Sequence, residues 1–138
     1  MRPSFEQIYM SLAVQLEKRS TCQRKSVGCV ITSTDYRKVL AVGYNGNASG
    51  LPNGCDHPEK QGGCQCLHAE ENSVINCDVP RYVEKMVFTT WSPCVMCAKR
   101  LINLGNVKKV FYYQQYSSTE GLDILEKSGI PTQQCSPA

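Results

Sequence analysis

The sequence predicts an α/β domain of three layers, α/β/α, built around a mixed five-stranded sheet. Strand and helix patterns alternate in the order αββαβαβαβ along the chain. The later strands are joined through helices, which gives parallel neighbours with right-handed crossovers. The first two strands adjoin through a short turn and form a hairpin, the antiparallel part of the sheet. At 138 residues the chain is long enough for one domain with a real core, spanning 1–138, and too short for two.

The elements follow in order. Phe5, Ile8, Tyr9, Leu12, Ala13 and Leu16 recur at helical spacing, and Ser4 with Gln7 can form a capping box at the start. "SVGCVITS" and "KVLAVGYN" read as strands, with "TDYR" as the turn between them. "GNASGLPNGCDHPEKQGG" reads as a long loop, and long loops in compact domains are usually functional or disordered. A helix is predicted from near His68 to about Asn76, and "KMVFTT" is a third strand. "SPCVMCAKRLINLG" predicts a helix with Ser92 as its cap, Pro93 in the first position and Gly105 as the stop. "VKKVFYY" is a fourth strand, "GLDILEKSG" a last helix, and "IPTQQ" a short fifth strand.

Composition narrows the function classes. No run approaches membrane-spanning length and "MRPSFEQIYM" has no apolar signal-peptide core, so the expectation is a soluble cytoplasmic protein without a membrane partner. The net charge of +3 suits a small anionic substrate. Basic residues come as pairs, Arg24–Lys25, Lys99–Arg100 and Lys108–Lys109, and the last two read as solvated surface. No long nucleic-acid track is indicated. Nine cysteines, an odd number, without an export signal argue for metal ligands and buried thiols over a disulfide framework. Cys29, Cys77 and Cys135 read as buried thiols.

"GCQCLHAEE" and "SPCVMC" carry the chemistry. Cys94 and Cys97, three apart at a helix start, put both sulfurs on one face, where the helix N-terminus favours the thiolate that binds metal. One C-x-x-C alone is a weak signal, shared with redox dithiols and structural zinc sites. His68 opens the preceding helix, and the strand between lets the two helix starts meet at one end of the sheet. His68, Cys94 and Cys97 are then three zinc ligands, and a site with three protein ligands keeps a fourth position for water. Glu70 lies beside the metal without being needed as a ligand, as a general acid–base group would. Glu71 reads as solvated helix surface. H-x-E followed by P-C-x-x-C is the signature of the zinc nucleobase deaminases.

Beyond that signature the chain resembles the deoxycytidylate (dCMP) deaminase family over nearly its whole length, through "RSTCQRKSVGCVI", "GYNG", "PNGC", "HAEENSVI", "SPCVMCAKRLINLG" and "GLDILEKSGI". The resemblance implies a cytidine-deaminase-like fold with the last two strands parallel, and hydrolysis of dCMP to dUMP. It implies zinc on His68, Cys94 and Cys97, with Glu70 moving protons. Asn45 would bind the sugar hydroxyl and Arg24 the phosphate. Ala69, Trp91, Ser92 and Tyr116 would complete the substrate pocket. Gly43, Tyr44, Asn45 and Gly46 would shape a site for dCTP, the activator, and dTTP, the inhibitor, with Mg²⁺ accompanying the triphosphate. A homo-oligomer, a hexamer in many members, is implied as well. Read without the resemblance, "GYNG" is a plain turn ending a strand.

Two departures stand out: "GCDH" at 54–57, where many members carry His-Cys-x-Glu, and "GCQC" just before "HAE". Some members bind a second, structural zinc in this region, and Cys22, Cys55, His57, Cys64 and Cys66 offer ligands for one; reduced thiols in a mobile loop are the alternative. "TTWSPC" also looks like the Ser-Trp-Ser-Pro-Cys of polynucleotide cytidine deaminases. A cytidine or polynucleotide deaminase is therefore a second reading, and a non-catalytic zinc-binding module a third.

Overall fold

The computed structural model describes residues 1–138. Helix α1 spans Phe5–Glu17, strand β1 Gly28–Ser33, β2 Val39–Tyr44, helix α2 Ala69–Asn76, and β3 Lys85–Trp91. Helix α3 spans Val95–Leu104, β4 Val107–Gln114, α4 Glu120–Lys127, and β5 Thr132–Gln134. The strands lie in the order β2-β1-β3-β4-β5. β1 pairs antiparallel with β2 and with β3, while β3–β4 and β4–β5 are parallel, so the last two strands run as expected. No helix is long and apolar enough to cross a membrane.

Alternation along the central strands builds two cores. Cys29, Ile31, Val87 and Val110 point to one face, against Ala69 of α2, Ala98 and Leu101 of α3, and Leu125 of α4. Val30, Phe88 and Phe111 point to the other, against Met10 and Ala13 of α1. Phe88 and Phe111 stack there with ring centroids 4.7 Å apart, and each such buried ring contributes roughly 1.5–3 kcal/mol. Both faces of β1, β3 and β4 are covered, which is why their sequences read as nearly continuous apolar runs.

Gly43 sets the position of α2. A Cβ there would lie 2.5 Å from the Ala69 carbonyl oxygen and 2.7 Å from the Ser73 nitrogen. Only a glycine lets the helix that follows His68 settle this closely on β2. The capping box of α1 is present: Ser4 Oγ accepts from Gln7 N, and Gln7 Oε1 accepts from Ser4 N.

The start of α3 differs from the expectation. The cap is Cys94, whose sulfur accepts from Cys97 N at 3.5 Å, and not Ser92. Ser92 directly follows β3, and its hydroxyl accepts from Tyr116 N at 3.0 Å. With the hydroxyl so engaged, the chain turns two residues later, and Pro93 precedes the helix. Gly105 stops α3 at φ 95, as expected.

Lys85 is fully buried, and this is not readable from "KMVFTT". Its ammonium donates to the carbonyls of Val83 (2.6 Å), Gly105 (2.8 Å) and Arg81 (3.3 Å), one of them at the C-terminus of α3, where a cation is favoured. Lys85→Met keeps the stem and strips two or three carbonyls of their donor. We expect a loss of roughly 2–4 kcal/mol in stability, read as a lower urea midpoint with unchanged slope.

Candidate active site

The ends of β3 and β4 and the starts of α2 and α3 converge on one cavity of about 460 Å³. α2 and α3 pack side by side on the same sheet face, so their first residues come together. His68 Nδ1 lies 3.2 Å from Cys97 Sγ and 3.7 Å from Cys94 Sγ. Zinc–nitrogen and zinc–sulfur bonds of about 2.0 and 2.3 Å in a tetrahedron put donors about 3.5–3.8 Å apart. The three side chains therefore fit zinc in spacing and in donor chemistry. Cys94 is held as a thiolate, down to about 3, by hydrogen bonds with Cys97 and then with His68. The shared proton stays with Cys97, whose thiol is pushed up by that bond and by its burial.

Glu70, the second residue of α2, is buried and lines the same cavity. Burial pushes its carboxyl up to about 7, against the opposing pull of a backbone hydrogen bond and of His68. Glu71 is not idle surface. Its Oε1 accepts from His68 N at 2.8 Å, and its Oε2 pairs with Arg100 Nε at 3.3 Å, fixing the backbone at His68. An acidic residue three places after the first helical cap was the signal for this capping role.

The remaining candidates separate by position. Arg24, Asn45, Ala69, Trp91 and Tyr116 all line the cavity. Ser92 stands behind it, holding the Tyr116 loop. Both polar atoms of the Asn45 side chain serve the backbone: Nδ2 donates to the Lys25 carbonyl at 2.5 Å, and Oδ1 accepts from Val27 N at 2.9 Å. Asn45 thus clamps the segment that leads into β1, beside any role toward a ligand. Of the "GYNG" turn only Asn45 reaches the cavity. Gly43 lies under α2, the Tyr44 ring lies 5.8 Å beneath the Arg19 guanidinium, and Gly46 forms an isolated bridge with Leu67.

Lys25 is the residue that reading the sequence missed. Its Nζ sits 3.5 Å from the Trp91 ring centroid and 4.0 Å from that of Tyr116. The two rings, 5.0 Å apart and tilted by 38°, form one wall of the cavity. The only signal was a basic pair directly before an apolar strand.

A second cluster adjoins the first. The sulfurs of Cys22, Cys55, Cys64 and Cys66 all lie within 4.8 Å of one another. Cys22 and Cys64 are 3.4 Å apart, Cys55 and Cys64 3.3 Å, and Cys22 and Cys55 3.9 Å. Backbone N–H groups of Arg24 and Lys25 and the Cys64 and Cys66 thiols outweigh the burial of Cys22 and lower its thiol to about 7. Four cysteines at this spacing make a closed, structural type of zinc site. His57 is outside it. Its side chain is half-exposed and faces Glu59 at 3.8 Å, because backbone bonds from His57 to Gly63 and from Asp56 to Cys64 turn the loop away at that point. Cys22, Cys64 and Cys66 also line the cavity that holds Glu70.

Residues 3–114 match the model of the cytidine and deoxycytidylate deaminase zinc-binding region. The deoxycytidylate deaminase of Saccharomyces cerevisiae is 34% identical over 99% of this chain and 46% of its own length. That of Schizosaccharomyces pombe is 30% identical over 99% and 45%. The chain thus spans about half the length of these two relatives. The dCMP deaminase of cyanophage S-TIM5, in its crystal structure with dCMP and dUMP, is 32% identical with a TM-score of 0.83, covering 98% of this chain and 99% of that one.

Proposed function

The chain belongs to the cytidine and deoxycytidylate deaminase family, and from that premise we propose that it is a zinc-dependent dCMP deaminase, converting dCMP and water to dUMP and ammonia. One observation carries the reading: a buried carboxylate, Glu70, shares a cavity with a three-residue zinc set that needs no further protein ligand. A purely structural metal site has no use for such a carboxylate. The S-TIM5 enzyme, similar over the full length of both chains, is the supporting relative that binds dCMP and dUMP.

When bound, zinc at His68, Cys94 and Cys97 supplies Lewis-acid activation of water. The chain's own residues do the rest. Glu70 accepts one proton from the attacking water and delivers it to the ring nitrogen beside the amino-bearing carbon. It then takes the second proton from the hydroxyl added to that carbon and passes it to the departing amine, which leaves as ammonia. Burial keeps its carboxyl free of bulk water throughout. Trp91 and Tyr116 offer faces for the base. Arg24, exposed, and Asn45, buried, both line the cavity and receive the phosphate and the sugar hydroxyl. The enzyme works in the cytoplasm as a homo-oligomer, a hexamer, without nucleic-acid or membrane partners. The four-cysteine cluster holds a second, structural zinc.

Control by dCTP as activator and dTTP as inhibitor, with Mg²⁺ on the triphosphate, belongs to the same reading. Gly43, Tyr44, Asn45 and Gly46 form its receiving turn. Two bonds support the coupling: Gly46 N donates to the Leu67 carbonyl at 3.1 Å and Leu67 N to that of Gly46 at 2.8 Å. A shift of the turn is thereby passed to the residue before His68. Ammonia release from dCMP, deoxycytidine and single-stranded DNA tests the whole reading. dCMP should be the preferred substrate, with its saturation curve moved in opposite senses by dCTP and dTTP in magnesium. Faster release from DNA would favour a polynucleotide deaminase. Bound zinc without release from any of the three would favour a binding module. A curve indifferent to both nucleotides would remove the control.

A further inference from the structure

We propose that Lys25 is a gate that admits nucleotides in preference to nucleosides: its ammonium covers the aromatic wall of the cavity, and an anionic phosphate on the ligand draws it off. The inference rests on the reading of the site as one for a pyrimidine nucleotide. Trp91 and Tyr116 are the two aromatic residues lining the cavity, and the Lys25 ammonium lies over both rings. A base cannot reach those faces while the ammonium occupies them.

The ammonium has no competing anchor. The chain's three ion pairs involve other residues, and Lys25 Nζ makes no hydrogen bond to the protein. It is held by ring quadrupoles, a weaker partner than a phosphate, with which it would make charge-assisted hydrogen bonds. Its backbone, by contrast, is fixed. Asn45 grips the Lys25 carbonyl and the Val27 N–H, and Thr90 Oγ1 accepts from Gly28 N at 3.1 Å. The side chain can swing while the segment beneath it stays put. A nucleotide exchanges the aromatic seat of Lys25 for a stronger partner. A nucleoside must displace the ammonium and offers nothing in return. Arg24 is exposed beside it, and the cation over both rings is Lys25, so Arg24 adds attraction for phosphate without acting as the gate.

Trp91 is the single tryptophan, so its emission reports the seat directly. Zinc-loaded wild type, Lys25→Met and Lys25→Arg are compared in two measurements. The first is binding of dUMP and deoxyuridine followed by Trp91 emission. The second is kcat/KM for dCMP and deoxycytidine. Lys25→Met should shift the emission of the ligand-free protein and lower the nucleotide-to-nucleoside ratio about 10- to 100-fold in both measurements. Lys25→Arg should restore most of the ratio. A merely structural role would weaken both ligands alike and leave the ratio unchanged, and that result overturns the proposal, as does an unshifted emission. If wild type binds dUMP yet releases no ammonia from dCMP, the deaminase reading fails, and the binding ratio alone still decides the gate.

Discussion

Glu70→Gln is expected to slow dCMP turnover by at least about 100- to 10,000-fold while leaving zinc in place. Gln keeps the size and polarity of the side chain but cannot accept a proton. Glu70 is 5% exposed, so no bulk water stands close enough to take over the transfer. The metal should stay because His68, Cys94 and Cys97 hold it among themselves, with donors already within 4.8 Å of one another. Affinity should change little, since the cations at residues 24 and 25 and the aromatic wall lie on other elements. The defect should therefore appear in the single-turnover rate more than in apparent affinity. Loss of zinc would show that Glu70 is a ligand or scaffold. Near-normal turnover with zinc retained would show that another group moves the proton. Zinc content and single-turnover rate on one preparation separate these results.

The second large effect concerns the two cysteine sets. Purified protein is expected to hold two zincs per chain, and Cys97→Ala and Cys64→Ser should each remove one. The consequences should differ. Cys97→Ala abolishes activity, because His68 and Cys94 alone cannot hold the metal, while the sheet and its cores remain. Cys64→Ser removes a sulfur that lies within 3.4 Å of both Cys22 and Cys55, and so opens the closed set. Structural zinc is worth about 10–16 kcal/mol in small peptides, so even a modest share of that should lower the melting temperature by about 5 °C or more. Elemental analysis reading one zinc in wild type would leave the four as ordinary thiols.

Much of this was legible in the chain itself. Each of the nine elements follows from apolar spacing and turn residues, because β1, β3 and β4 are buried on both faces and the helices are amphipathic. That His68, Cys94 and Cys97 come together, with Glu70 beside them, was legible because the spacing of these residue types at two helix starts brings them to one end of the sheet. What stayed hidden depends on where a flexible side chain goes. Lys85 and Lys25 look like any surface lysine, yet one ends under three carbonyls and the other on two rings. His57 sits among candidate ligands in sequence, and only the fold of its loop turns it outward. Ser92 is a good cap by residue type, but the Tyr116 amide claims its hydroxyl first.

The stretch between Gly46 and Leu67 is tied at its base by the two reciprocal backbone bonds, and its three sulfurs, on Cys55, Cys64 and Cys66, gather around that of Cys22. It contributes no helix or strand and little apolar burial. Its opening free energy is therefore set by those ties and not by the global stability of the sheet. Amide hydrogens there should exchange by local opening, and protection should rise with metal loading while that of β1, β3 and β4 stays constant. Because Cys64 and Cys66 are also cavity wall, the shape of the pocket is governed by a small local equilibrium that leaves the rest of the molecule intact.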